Sequence, residues 1–253
     1  AYDERITITP QPQSSITIMD QKTGQIKAMV GGRGEKASSL GLNRAYQGSK
    51  RQPGSTFKIL AAYAPALDSC DKTLATTIDD EPYTLKNGQV LRNANKQYGG
   101  TTTLREGIKR SINVVAVKLS DEITQELGYE YCQKFGISTL VKNKTINGKV
   151  FDDSTSQTLA LGGITEGVYN YEMCAAYATI ANGGEYNKPT LYSKVVDHDG
   201  NVLLDGTGES HTVLKDSTAY LLTSAMEDVV NSGTGTACQL PNCLLYTSDA
   251  ADD

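Results

Sequence analysis

Little in this chain can hold a metal ion or grip a polyanion. Two histidines and five scattered cysteines among 253 residues leave no zinc-ligand spacing, and no metal or other cofactor is expected. The formal net charge is −5, and no lysine or arginine cluster forms a phosphate-tracking stripe, which argues against nucleic-acid binding. No apolar run is long enough to cross a bilayer, and no basic-then-apolar export signal opens the chain. The start at Ala1-Tyr2-Asp3 reads as mid-stream in a longer protein. Cys70, Cys132, Cys174, Cys238 and Cys243 are odd in number and irregular in spacing, so they read as free thiols rather than a disulfide framework. Cys174 sits in an apolar helical stretch and is expected to pack in the core. There are no internal repeats.

What is present suffices for a core. Apolar residues make up 38 % of the chain, with no long disordered tract, and the length suits one large domain or two small ones. Ser15 to Gly32 alternates like a hairpin, with Asp20 to Gln25 as its turn. Pro53-Gly54 ends a polar loop, and an apolar helix is predicted from Ser55 through Tyr63. Asp79 to Gly100 is polar and turn-rich. The Thr103-x-x-Glu106 pattern caps a helix through Lys109. A break at Ser111-Ile112-Asn113 precedes a helix predicted from Val114 to about Leu127, and a shorter one over Tyr129 to Phe135, closed by Gly136. A buried helix is expected over Tyr171 to Ala181, a second hairpin over Leu191 to Leu204, and a last amphipathic helix over Ser217 to Asn231.

The chemistry begins with Ser55 and Lys58. A serine hydroxyl is a poor nucleophile until a base takes its proton. Residues three apart share a helix face, so the two side chains can meet. Burial beside Phe57, Ile59 and Leu60 would lower the lysine pKa toward the neutral, basic form. The helix N-terminus beneath Ser55 places partial positive charge near a developing oxyanion. The pattern alone is common: Ser69-x-x-Lys72 also matches it, and the bland reading is an N-cap serine with a solvated lysine.

Context decides between them. Arg51-Gln52-Pro53-Gly54-Ser55-Thr56-Phe57-Lys58 resembles, nearly letter for letter, the nucleophile motif of class A (bifunctional) penicillin-binding proteins. Lys109-Arg110-Ser111-Ile112-Asn113-Val114-Val115-Ala116 is similar to that family's second motif, Ser-x-Asn. Asn43-Arg44-Ala45, Ala160-Leu161-Gly162-Gly163, Glu172 to Tyr177, Ala181 to Gly184 and Gly233 to Thr236 follow in the family's order. Residues two apart point to different sides of a helix, so Ser111 and Asn113 can face one cleft only from a turn between helices. The resemblance implies a proton shuttle through Ser111 and a substrate-binding hydrogen bond from Asn113.

Three other strings imitate family motifs. Lys22-Thr23-Gly24 has the letters of the third motif, Lys-Thr-Gly, but lies in the first hairpin turn, ahead of Ser55. Gly233-Thr234-Gly235-Thr236 lies in the right region with glycine in place of lysine. Glu166-x-x-Tyr169-Asn170 mimics the pair that activates a deacylating water in class A β-lactamases, in a context that resembles an ordinary loop. The true third motif is expected soon after Gln239-Leu240-Pro241. Cys243 to Asp253 resembles instead the translation of a sequencing adapter, which divides the chain into a partial transpeptidase domain, 1–242, and a non-natural tail, 243–253.

The resemblance implies an α/β (α+β) fold of the β-lactamase/transpeptidase kind: a five-stranded antiparallel sheet flanked by helices, with a helical lobe. It implies a peptidoglycan D,D-transpeptidase that acts on D-Ala-D-Ala stem peptides through a Ser55 acyl-enzyme and is acylated by β-lactams. The parent is expected at the extracytoplasmic face of the cell membrane, anchored, with a glycosyltransferase domain. A β-lactam sensor, a β-lactamase or D,D-carboxypeptidase, and a motif-bearing structural paralogue are the alternatives. A chain lacking the strands after Asn242 is expected to fold poorly, to expose Ile59, Leu60 and the Tyr171 to Ala181 helix, and to be inactive.

Overall fold

Alternating apolar residues and a tight turn give the first hairpin. In a computed structural model, which describes residues 12–35, 39–46, 48–206 and 208–240, strands β1 (Ile16–Met19) and β2 (Ile26–Val30) pair antiparallel. Gly24, at φ 74°, turns the chain between them. Among the described residues this sheet has two strands.

The centre of the fold is the rod of residues 54 to 69. It opens as a 3-10 turn (Gly54–Thr56), loosens into a π-helical turn (Ile59–Tyr63) and ends as helix α1 (Ala64–Ser69). Leu60, Ala61, Ala62 and Tyr63 are wholly buried, because helices pack on the rod from several sides. The expected exposure of Ile59 and Leu60 is therefore wrong. Neighbouring helices cover both, independently of any sheet.

Short strands β3 (Thr77–Asp80), β4 (Tyr83–Thr84), β5 (Val90–Leu91) and β6 (Gly100–Thr103) occupy the turn-rich stretch, paired β3–β6 and β4–β5. Helix α2 (Leu104–Lys109) starts where the Thr103 hydroxyl accepts from the Glu106 amide, as its capping pattern predicts. Helix α3 (Asn113–Ile123) ends four residues earlier than expected, at Thr124. Thr124 adopts φ 76°, and its hydroxyl accepts from the Leu127 amide, capping helix α4 (Gln125–Lys134). A local threonine cap thus divides an apolar pattern that periodicity alone runs together. Gly128 of α4 lies against the rod so closely that a Cβ there would sit 2.2 Å from the Ala61 carbonyl oxygen.

Strands β7 (Lys144–Ile146) and β8 (Lys149–Phe151) form a surface hairpin. Helix α5 (Asn170–Ala181) packs on β1. Strands β9 (Glu185–Asn187), β10 (Lys194–Val196), β11 (Val202–Asp205) and β12 (Ser210–Thr212) pair as β9–β12 and β10–β11. Helix α6 (Asp216–Ser232) closes the site side against α2 and α5. Of the four described cysteines, all free, Cys132 is the fully buried one. Cys174 is half-buried and faces the Thr17 carbonyl of β1, rather than lying in the core.

Candidate active site

The 3-10 turn leaves Ser55 exposed at the open end of the rod, while Lys58, one turn further in, is only 2 % exposed. Opposite them the chain leaves α2 and turns sharply. Ser111 takes φ 53°, a left-handed conformation that is uncommon outside glycine and is typical of functional sites. Amide bonds from Ser111 to the Ile108 carbonyl (3.0 Å) and from Ile112 to the Gly107 carbonyl (2.9 Å) hold it. Ile112 is extended, and Asn113 begins α3. The turn brings Ser111 and Asn113 to one place, as their spacing requires.

That place is the Lys58 amine. Its Nζ donates to Asn113 Oδ1 (2.7 Å), to the Ser111 carbonyl (2.6 Å) and to Ser111 Oγ (3.1 Å). The direct Ser55–Lys58 bond expected from helical spacing is not formed. Three acceptors converge from the α2–α3 turn and draw the ammonium across the cleft. Burial pulls the Lys58 pKa down from 10.5 to about 8, the direction expected when a charge leaves water.

Ser55, Lys58 and Ser111 line a cavity of about 270 Å³ with a largely apolar wall from Ile59, Ile108, Met226 and Val229. Among the described residues no carboxylate lines it. Its tyrosines, Tyr63 and Tyr177, are held protonated by burial, their pKa values raised. Residues 162–168 clamp the chain ahead of Ser55. The Gln52 side chain accepts from the Ile164 amide (3.0 Å) and donates to its carbonyl (2.5 Å), while Arg51 and Val168 exchange backbone bonds. Gly162, at φ 71°, abuts the Gly54 backbone, where a Cβ would lie 2.3 Å from the carbonyl oxygen.

The imitating strings fall elsewhere. Lys22-Thr23-Gly24 lies in the β1–β2 turn. Ser69 Oγ donates to Pro65 O at the end of α1, and Lys72 pairs with Glu122. Glu166 stands outside the cavity lining, held by Lys144 and Lys50, whose hydrogen bonds push its pKa down to about 2. Thr234, within the rejected Gly-Thr-Gly-Thr string, does line the cleft, with its amide on the Lys109 carbonyl. Tyr177 was not singled out by sequence; its hydroxyl donates to the Thr56 carbonyl at 2.7 Å. Both lie in strings that follow the family's order, but nothing local to either string places these side chains on the cleft. Among the described residues no group of three or more His, Cys, Asp or Glu side chains could hold a metal. The tail 243–253 lies outside the described residues.

Residues 14–247 match the penicillin binding protein transpeptidase domain family. The chain belongs to that family. It is 35 % identical over 233 residues to penicillin-binding protein 1A of Clostridium tetani, covering 87 % of this chain and 28 % of that relative's length. Penicillin-binding protein 1A/1B of Bacillus subtilis is 29 % identical over 94 % of this chain and 25 % of its own. Crystallised penicillin-binding protein 1A from Haemophilus influenzae superposes with a TM-score of 0.73 at 25 % identity, covering 89 % of this chain and 37 % of that one. PonA1 from Mycobacterium tuberculosis in complex with penicillin V gives 0.71 at 25 % identity, covering 87 % and 56 %. The fold is therefore that of a penicillin-binding transpeptidase domain of the class A type, with mixed helices and strands, as the motifs imply.

Proposed function

We propose that this penicillin-binding protein domain is a peptidoglycan D,D-transpeptidase working through an acyl-enzyme on Ser55. The observation that carries the reading is the convergence of Ser111 and Asn113 on Lys58, with Lys58 and Ser111 lining one cleft with the exposed Ser55. Neutral Lys58 takes the Ser55 proton as the hydroxyl attacks the penultimate D-alanine carbonyl of a stem peptide. The proton passes through Ser111 to the nitrogen of the terminal D-alanine as that C–N bond breaks. A neighbouring stem-peptide amine then attacks the acyl-enzyme, and the proton path runs in reverse. Asn113 is oriented for its role, because one Nδ2 proton goes to the Arg92 carbonyl at 2.9 Å. The other remains for a substrate carbonyl. A β-lactam enters as a stem-peptide mimic, and the similar PonA1 is known in complex with penicillin V.

A β-lactamase of the class A kind needs a carboxylate beside the acyl-enzyme. Glu166 is instead spent on two lysines. The relatives' names and the class A motifs support a membrane-anchored parent on the extracytoplasmic face, bearing a glycosyltransferase domain. No helix among the described residues is long and apolar enough to cross a membrane.

The test is fluorescent-penicillin labelling of the full-length protein, with the modified peptide identified by mass. Ser55→Ala should abolish labelling and Ser69→Ala should leave it intact. Adduct on any other serine overturns the assignment.

A further inference from the structure

Helix α3 begins without a cap of its own. Its N-cap residue, Ile112, has no side-chain oxygen to offer the first amides. The acceptor comes from twenty residues back in the chain. Asn93, buried to 7 % exposure, receives both the Asn113 amide (3.0 Å) and the Val114 amide (3.2 Å) on its Oδ1. Its Nδ2 donates to the buried Asp80 carboxylate (2.7 Å) and to the Gln97 carbonyl (2.9 Å), so the amide can face only one way. Asp80, 3 % exposed, is itself fixed by the Gly99 amide on its other oxygen (2.8 Å). The adjoining Arg92 carbonyl holds the Asn113 side chain. A chain of hydrogen bonds thus runs from Asp80 through Asn93 to the residue whose Oδ1 meets Lys58 Nζ.

We infer that Asn93, locked by Asp80, is a positioning residue for acylation: by capping α3 from outside the helix it holds Asn113 and the strained Ser111 turn against Lys58. Neither Asn93 nor Asp80 reaches Lys58 or Ser55, so the effect passes through the turn. A left-handed serine persists only where its surroundings over-determine it. Here the downstream anchor of the turn is a side chain that local sequence does not supply. The inference rests on the acyl-enzyme reading above and refines how its second motif is held.

The experiment measures the second-order rate of fluorescent-penicillin acylation against pH, with melting temperature, in the full-length protein. Asn93→Ala should slow acylation about 10–100-fold, the scale of a small misplacement of catalytic groups. Its pH midpoint should move acid, because an ammonium that loses its Asn113 acceptor gives up its proton more readily. Asn93→Asp alone, with two carboxylates in contact, should also be slow. The exchange Asp80→Asn with Asn93→Asp restores the donor–acceptor pair between 80 and 93 and keeps an acceptor on α3, though not the bond to the Gln97 carbonyl, so it should run faster than Asn93→Asp alone. If Asn93→Ala fails to fold, Asn93→Ser and the exchange variant still decide. A wild-type rate and midpoint in a folded Asn93 variant, or an exchange no faster than Asn93→Asp alone, overturns the inference. Ser55→Ala is measured beside them: if labelling survives there, it is the acyl-enzyme reading that has failed.

Discussion

The rod carrying Ser55 and Lys58 and the two hairpins β1–β2 and β10–β11 are written in similar apolar residues and meet opposite fates. Leu60, Ala61, Ala62 and Tyr63 are wholly buried between helices, whereas Ile16 and Ile18 are each 56 % exposed, and Val202, Leu203 and Leu204 lie open as well. The site side of this penicillin-binding domain is therefore held by helix packing and by cross-chain hydrogen bonds onto Lys58. These two hairpins add little to it, whereas β3 contributes Asp80 to the hydrogen bonds that hold the α2–α3 turn. An isolated two-stranded hairpin is marginal in water, so the hairpins depend on what packs against them, as α5 does on β1. Chemistry and rigidity coincide in the helical region.

Removing the base tests the rigid region hardest. Lys58→Ala should slow acylation by roughly 10²–10⁴, the usual worth of a positioned general base, with the fold retained; a two- or threefold loss would mean another group takes the proton. Packing should divide the regions next. Leu60→Ala should destabilise by about 2–5 kcal/mol and Ile18→Ala by less than about 1 kcal/mol, measured by chemical denaturation. Equal losses would dissolve the contrast.

The pH dependence follows from the same burial. With Lys58 lowered to about 8, acylation should rise about tenfold per pH unit below that midpoint and level off above it. For stability the sign is set by proton counts. The unfolded chain holds the lysine proton up to about 10.5, the folded one only to about 8. Burial therefore opposes folding fully below pH 8, and the opposition is relieved as pH rises from 8 to 10.5. Relative to Lys58→Met, the native protein should gain stability across that window; a flat difference would mean Lys58 is not desolvated as the structure has it. The smallest expected effect is Glu166→Gln. Acyl-enzyme lifetime should stay within about twofold, and stability should fall by no more than about 1 kcal/mol, the scale of partly exposed ion pairs. A lifetime lengthened many-fold would restore the hydrolytic alternative.

Sequence by itself determined the order of parts. Ser55 and Lys58 share a motif and a face, the Thr103 cap starts α2, and the spacing of Ser111 and Asn113 demands the turn that is found. These features are local: a cap, a period or a pair three apart is decided within one turn of chain. Tertiary structure alone decided that Lys58 turns from Ser55 to Ser111 and Asn113, and that Thr234 and Tyr177 border the cleft. It alone decided, too, that Asn93 caps a helix twenty residues away. Each of these depends on which acceptor or wall lies nearest in space. A buried amine or amide must find its partners wherever packing brings them, and no run of neighbouring residues records that.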